Sequence, residues 1–189
     1  AGATGPIGEN SCNGDDACPG SSGSIGDGSC NGEEACRDAA GQIGENSCNG
    51  SDACEEVQVP IGDGSCNGAY YACDGVQVPI GDGSCNGKYA CDGEDVPIGD
   101  GSCNGDHACD SIEIGPIGDG SCNGEDACYN ATTVGDGSCI GFNACNDTSD
   151  ASIGDGSCIG YFACEGSPYL AIGDGSCIGD NACEDSSSD

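Results

Sequence analysis

Residues 25–36 read Ile-Gly-Asp-Gly-Ser-Cys-Asn-Gly-Glu-Glu-Ala-Cys, and this stretch recurs with small changes along the whole chain. A fixed period is the signature of a repeat architecture, in which each copy packs against its neighbours. We divide the chain into a spacer-like segment at 1–6, ten tandem repeats at 7–183 and an acidic spacer at 184–189, all in one repeat domain. Successive copies are 17 to 19 residues apart and begin at Ile7, Ile25, Ile43, Ile61, Ile80, Ile98, Ile117, Val134, Ile153 and Ile172.

The composition of one repeat indicates its backbone conformation. A unit of this length is too short for a helix pair, and Gly interrupts it every few residues. Asp27-Gly28 and Asn31-Gly32 are turn signals, while the spacer 57–60 (Val-Gln-Val-Pro) alternates apolar and polar residues as a half-buried strand does. We therefore predict an all-β fold: a narrow, disulfide-stapled β-solenoid of ten coils, with about 18 residues and two or three short strands per coil.

Twenty cysteines, two in every repeat, indicate a disulfide framework and an oxidising compartment. A zinc or iron–sulfur protein is disfavoured because the chain has one His and no C-x-x-C pair. The simplest pairing is within a repeat, although pairing between neighbouring repeats, such as Cys18 with Cys30, also fits the spacing. Within-repeat pairing joins Cys12 to Cys18, Cys30 to Cys36, Cys48 to Cys54, Cys66 to Cys73, Cys85 to Cys91, Cys103 to Cys109, Cys122 to Cys128, Cys139 to Cys145, Cys158 to Cys164 and Cys177 to Cys183.

The interior of such a coil is thin. Aromatic residues make up 4% of the chain, and Trp and Met are absent. We expect the Ile, the first Cys and the Ala of each repeat to point inward. Because little apolar area is buried, the disulfides, at about 2–4 kcal/mol each, are the larger stabilising contribution.

The net charge of −32 limits the partners, since Arg37 and Lys88 are the only basic residues besides one His. Nucleic acid and anionic membrane surfaces are therefore excluded as partners, and divalent cations are favoured. No stretch reaches the roughly 18 apolar residues of a membrane span. The first residues carry neither a starting Met nor a signal sequence, so the chain has the appearance of a processed, secreted extracellular protein.

The third position of the repeat is always acidic and forms what we call the acidic row. The start of a calcium-binding loop, D-x-S-x-N-G, matches residues 27–32, but Ile replaces the Asn in the last three repeats. Specific Ca²⁺ sites, loose screening by divalent ions and a merely solvated face are all compatible with this row. Glu9 and Glu45 occupy it in two repeats, and the candidate metal ligands are the others: Asp27, Asp63, Asp82, Asp100, Asp119, Asp136, Asp155 and Asp174.

No catalytic constellation stands out, and we expect the chain not to be an enzyme. His107 lies at a variable position and is absent from every other repeat, which is typical of a solvated turn residue. The serine before each first Cys has no base beside it and fits a backbone-capping hydroxyl. Three N-glycosylation sequons begin at Asn49, Asn130 and Asn146.

Over Ile7 to Cys183 the repeat resembles the tandem I-G-D-x-S-C-N-G-x-x-A-C arrays of predicted extracellular proteins of microalgal type. In architecture alone it is similar to the disulfide-laddered β-solenoids of insect-type antifreeze proteins, which implies a soluble ice- or surface-binding protein. Antifreeze solenoids of that type present ranks of Thr-x-Thr. This chain has four threonines, none of which repeats through the array.

The function predicted from these features is structural. Neither end of the array shows a distinct polar cap, and uncapped coils can stack head to tail into a fibre or matrix. The predicted partners are other copies of the chain, divalent cations such as Ca²⁺ and extracellular polysaccharide. The alternative is the antifreeze-type surface binder.

Overall fold

The computed structural model describes residues 2–92, 95–112, 115–149, 152–168 and 171–186. Over these residues the chain forms no helix, and its strands are β1 (Thr133–Val134), β2 (Ser152–Ile153) and β3 (Ala171–Ile172). They form a parallel sheet in the order β1-β2-β3. No membrane-crossing helix occurs in this part of the chain.

Consecutive repeats contact one another in parallel and in register. The first residue of each repeat pairs with the first residue of the next, from Ile7 with Ile25 up to Ile117 with Val134. β1, β2 and β3 continue the same pairing from Val134 through Ile153 to Ile172. Equivalent residues of neighbouring repeats therefore lie over one another along the whole array.

The predicted two or three strands per repeat are not found in the described residues, where five of the ten repeats contribute a single bridged residue. The reason is the backbone conformation, since left-handed residues recur through the repeat. In the second repeat they include Gly28 (φ 68°), Cys30 (φ 57°), Glu34 (φ 54°) and Cys36 (φ 57°). A strand needs consecutive extended residues. Because left-handed residues recur so often in this repeat, its strands cannot be longer than one or two residues.

The second half of each repeat is a run of overlapping β-turns. The N–H of Ala35 donates to the carbonyl of Gly32, and the N–H of Arg37 to that of Glu34. The third residue of each turn, Glu34 or Cys36, is left-handed, as in a type II turn. The predicted turn at Asn31-Gly32 is therefore displaced, because the first of these turns begins at the glycine.

The interior contains the residues predicted for it and others besides. Ile, the first Cys and Ala are buried in the inner repeats, for example Ile61, Cys66 and Ala72. The second Cys is equally buried, and so is the third residue after it, such as Val57. In the spacer 57–60, apolar and polar residues thus alternate because their side chains are alternately more and less buried, although the spacer is not a strand.

The structure joins the two cysteines of every repeat to each other, with Cα atoms 5.5–5.8 Å apart. Pairing between neighbouring repeats is not used. Neighbouring cystines nevertheless lie close, because the sulfurs of Cys48, Cys54 and Cys66 are all within 4.8 Å of one another. The cystines thus form a column along the stacking direction.

Candidate functional site

The acidic row lies on the surface, and each of its aspartates is oriented by a backbone N–H of the preceding repeat. The backbone N–H of Glu9 donates to Oδ1 of Asp27, and the N–H of Asp82 donates to Oδ1 of Asp100. The N···O distances of the eight equivalent hydrogen bonds are 2.7–3.1 Å. Oδ2 of these aspartates has no hydrogen-bond donor among the described residues, so one oxygen per repeat is open to solvent and cations.

The carboxylates of this row do not converge into a compact metal centre. Within the described residues, only cysteines form groups of three with potential ligand atoms within 4.8 Å, and these cysteines are disulfide-bonded. Aspartates one repeat apart are spaced about 4.8 Å along the stack. The row is therefore a line of single open oxygens, an arrangement suited to loosely held divalent ions.

Hydroxyl groups inside the array connect neighbouring repeats. They belong to the serine that precedes the first Cys of each repeat, and we call this set the serine row: Ser11, Ser29, Ser47, Ser65, Ser84, Ser102, Ser121, Ser138, Ser157 and Ser176. The hydroxyl of Ser102 donates to the carbonyl of Gly118 at 2.7 Å and accepts from the N–H of Ser121 at 3.1 Å. Ser102 and its equivalents in the inner repeats are fully buried. The prediction that these hydroxyls bond the backbone is confirmed. Their burial removes them from any ice-facing surface and from a calcium-loop site.

The asparagine after the first Cys forms a second ladder, which stops after the seventh repeat. Oδ1 of Asn104 accepts the N–H of Asn86 at 3.2 Å, and six successive pairs repeat this contact. Where Ile takes over, direct parallel bridges join Ile140, Ile159 and Ile178 instead. The choice between Asn and Ile thus decides whether a side chain or the backbone connects the repeats here.

A second set of acidic residues, which sequence analysis did not single out, directly follows the second Cys. Glu55, Asp74, Asp92 and Asp110 occupy this place in four consecutive repeats and form the carboxylate column. Burial, and then the charges of Asp92 and Glu55, raise the pKa of Asp74 to about 6. Burial and the charge of Asp110 also raise the pKa of Asp92. Aligning the repeats could have identified this column in the sequence, but the partial burial of its carboxylates could not be anticipated.

His107 and its neighbours lie beside this column. The Nδ1 atom of His107 is 3.5 Å from Oδ2 of Asp110, and its ring stacks on Tyr89 with centroids 5.1 Å apart. Tyr89 in turn stacks on Tyr71, with centroids 5.6 Å apart and the ring planes 10° apart. His107 therefore lies in a turn with its side chain 42% exposed, as expected, and it also packs against Tyr89.

The three sequons have different surroundings. Oδ1 of Asn49 accepts the N–H of Asn31 at 3.1 Å, and Nδ2 of Asn130 donates to Asp147 at 2.9 Å. Oδ1 of Asn146 is buried without a partner among the described residues, and Thr148 of the same sequon is buried as well. Glycosylation of these asparagines stays a prediction.

The in-register repeats and the cystine column define a disulfide-rich tandem-repeat protein with β structure. The family model for a domain of unknown function, DUF7640, matches residues 1–108, 77–146 and 130–189. The chain therefore belongs to the DUF7640 family. Searches of curated proteins and of solved structures found no match.

Proposed function

We propose that this chain is an extracellular structural protein: a β-solenoid rod of ten coils that adds copies of itself head to tail and gathers divalent cations along its acidic row. The observation that carries the proposal is the in-register parallel pairing of every repeat with the next. At a rise of about 4.8 Å per coil, ten coils give a rod about 48 Å long. The ten disulfides favour an oxidising, extracellular location.

The surfaces between repeats support head-to-tail addition because their two sides are complementary. The N–H of Cys85 donates to the carbonyl of Ser102, and the N–H of Cys91 donates to that of Ala108. Bonds in the opposite direction cross the same junction, such as that from the N–H of Gly101 to the carbonyl of Asp82. Each side of an inner repeat thus presents donors and acceptors that match those on the other side of an identical repeat. A contact of this heterologous type does not close on itself and extends into a filament.

A non-catalytic role agrees with how the polar groups are used. The hydroxyls of the serine row are bonded to backbone groups and are buried in the inner repeats, which makes them unavailable as nucleophiles. The cation-binding part of the proposal rests on the open Oδ2 atoms of the acidic row. Divalent ions would screen the repulsion between these carboxylates. Ca²⁺ is the natural ion because it prefers oxygen ligands.

Negative-stain electron microscopy of the natively purified protein, with and without a chelator, tests the proposal. Filaments several times longer than about 48 Å are expected. Shortening of the filaments on chelation is expected if ions screen the junction. Separate short rods at every concentration and ionic condition would contradict head-to-tail assembly.

Gly173 offers a variant that separates assembly from folding. A Cβ at Gly173 meets only the Ser176 hydroxyl at 3.8 Å, whereas a Cβ at the equivalent Gly99 would lie 2.8 Å from the backbone nitrogen of Asp119 in the next repeat. Gly173→Val should therefore fold but clash with an added copy. The matched control is Ala171→Val, on an exposed residue of β3. Filaments formed equally well by both variants would show that copies do not stack through this surface.

A further inference from the structure

The readily oxidised side chains of this protein are few, and half of its tyrosines lie together. The chain has no Met or Trp, and all twenty cysteines are in disulfides. Six tyrosines and one histidine remain. Three of these tyrosines, Tyr70, Tyr71 and Tyr89, lie together with His107 in three consecutive repeats, and we call these four residues the aromatic column.

The aromatic column is exposed on its outer side. Tyr70 is 49% exposed and Tyr71 is 37% exposed. The rings of Tyr71 and Tyr89 are parallel and stacked, so their faces cover one another while their edges point away from the stack. The ammonium group of Lys88 lies 4.9 Å from the centroid of Tyr89 and 5.6 Å from that of Tyr70.

Nearby carboxylates keep Tyr71 protonated. The charge of Asp52 is the main cause that raises the pKa of Tyr71, with smaller contributions from burial and nearby acidic groups. Tyr71 therefore reacts as the neutral phenol, which loses its proton together with the electron.

We propose that the aromatic column is an oxidative cross-linking site, at which peroxide joins two copies of the chain through a carbon–carbon bond between tyrosine rings. One molecule of H₂O₂ takes one electron and one proton from each of two phenols and is reduced to two molecules of water. The two phenoxyl radicals couple at ring carbons ortho to oxygen. The hydrogen on each coupled carbon then moves to the oxygen and restores both phenols.

The stacking geometry disfavours a bond between Tyr71 and Tyr89 of one chain, and the proposed coupling partner is therefore a ring of a second copy. Parallel rings with centroids 5.6 Å apart keep the ortho carbons of Tyr71 and Tyr89 beyond bonding distance. The exposed edges of Tyr70 and Tyr71 can instead meet the edge of a ring on another chain. Both chains are strongly acidic, so this approach requires an ionic strength that screens their charge.

The test exposes the full chain to H₂O₂ and a haem peroxidase at high ionic strength, starting from material shown to be monomeric. The readouts are dityrosine fluorescence and covalent dimers on a reducing gel. The variant is Tyr70→Phe/Tyr71→Phe/Tyr89→Phe, which keeps the stacked rings but removes the phenols. The matched control is Tyr129→Phe/Tyr161→Phe, whose tyrosines lie outside the aromatic column.

Wild type and control should form dimers, and the triple variant should form at least fivefold fewer. Absence of dimers from wild type, fluorescence confined to monomers, or equal yields from triple variant and control would each overturn the proposal. Peptide mass spectrometry of the dimer should locate the bond at Tyr70 or Tyr71. Because the reaction starts from monomers, a failure to form filaments does not affect this test.

Discussion

Glycine has two different roles in the repeat, and the difference explains which glycines vary between copies. The glycine after Asn always lies against the next repeat: a Cβ at Gly87 would be 1.8 Å from the carbonyl oxygen of Gly105. The glycine of the Asp-Gly turn is left-handed but open, as at Gly83, where a Cβ would meet nothing within 4 Å. Asn10 and Asn46 replace this second glycine with φ values of 58° and 53°, a conformation that Asn tolerates.

Gly83→Ala and Gly87→Ala should therefore differ sharply. The first places Ala in a left-handed conformation without a clash, which costs about 1 kcal/mol. The second forces neighbouring repeats apart and should cost several times more. Denaturant unfolding followed by circular dichroism, under oxidising conditions, measures both. Similar losses would show that contact between repeats does not depend on this glycine.

The serine row predicts a second residue-scale effect. Ser102→Ala leaves the carbonyl of Gly118 and the N–H of Ser121 buried without this partner, so we expect a loss of about 2 kcal/mol. The exposed Ser111, whose hydroxyl donates to the Asp110 carboxylate, supplies the control variant Ser111→Ala. The same unfolding measurement applies. A loss no larger than that of the control would mean that water replaces the hydroxyl.

At the scale of the repeat, short covalent loops replace a thick core. The cystine joins residues six or seven positions apart and carries two left-handed cysteines. The apolar interior has about one Ile and one Ala per layer, with a further buried residue such as Val57 in several repeats. Left-handed residues other than Gly cost about 1 kcal/mol each. The hydrogen bonds to both neighbouring repeats and the cystine hold the backbone in this conformation.

Removing one inner cystine should lower stability measurably. For Cys85→Ala/Cys91→Ala we expect a loss of about 2 kcal/mol from loop closure alone, plus the lost packing of two buried sulfurs. Cys12→Ala/Cys18→Ala removes a loop of the same size, but Cys12 is less buried, so its loss should be smaller. Thermal unfolding compares the two. A smaller loss for the inner pair would contradict the role assigned to the cystine column.

The carboxylate column predicts a dependence on pH. The pKa of Asp74 is about 6 in the folded protein, above its ordinary value of 3.8, because burial and neighbouring carboxylates disfavour its charge. Its protonated form thus favours the folded state, and stability should fall as pH rises from about 4 to about 6. Asp74→Asn should reduce this decline, leaving the part due to Asp92, and raise the melting temperature at pH 7. Parallel pH profiles for both proteins would refute the assignment.

The repeated part of the fold was largely predictable, and the unrepeated part was not. The positions of Ile61, Cys66 and Ala72 in the interior follow from the period, since each copy must occupy one environment. The strands were overestimated because nothing in the sequence shows that cysteines adopt a left-handed backbone, which is rare for residues other than Gly. The stacking of Tyr71 on Tyr89 was not predicted, because it depends on which variable positions carry aromatic residues in consecutive repeats.

At the scale of the whole molecule, the repeats follow one another along a single stacking direction. Each repeat contacts mainly its neighbours, so the stability of such an array is the sum of similar small contributions. The charge of −32 is spread along the array, so self-repulsion opposes any compact alternative packing. Both facts favour a stiff, extended particle, which suits the structural role proposed for it.

The cystine within each repeat also determines how the protein should behave under tension. Backbone hydrogen bonds between repeats lie along the stacking direction, so a pulling force loads them in series and detaches one repeat at a time. A detached repeat of about 18 residues would lengthen by about 60 Å if fully extended, but the disulfide bypasses six of them and limits the gain to about 40 Å. Single-molecule force spectroscopy should show this shorter increment before reduction and the longer one afterwards. The ten cystines would then act as extension limiters, keeping a stretched fibre from losing its recoil.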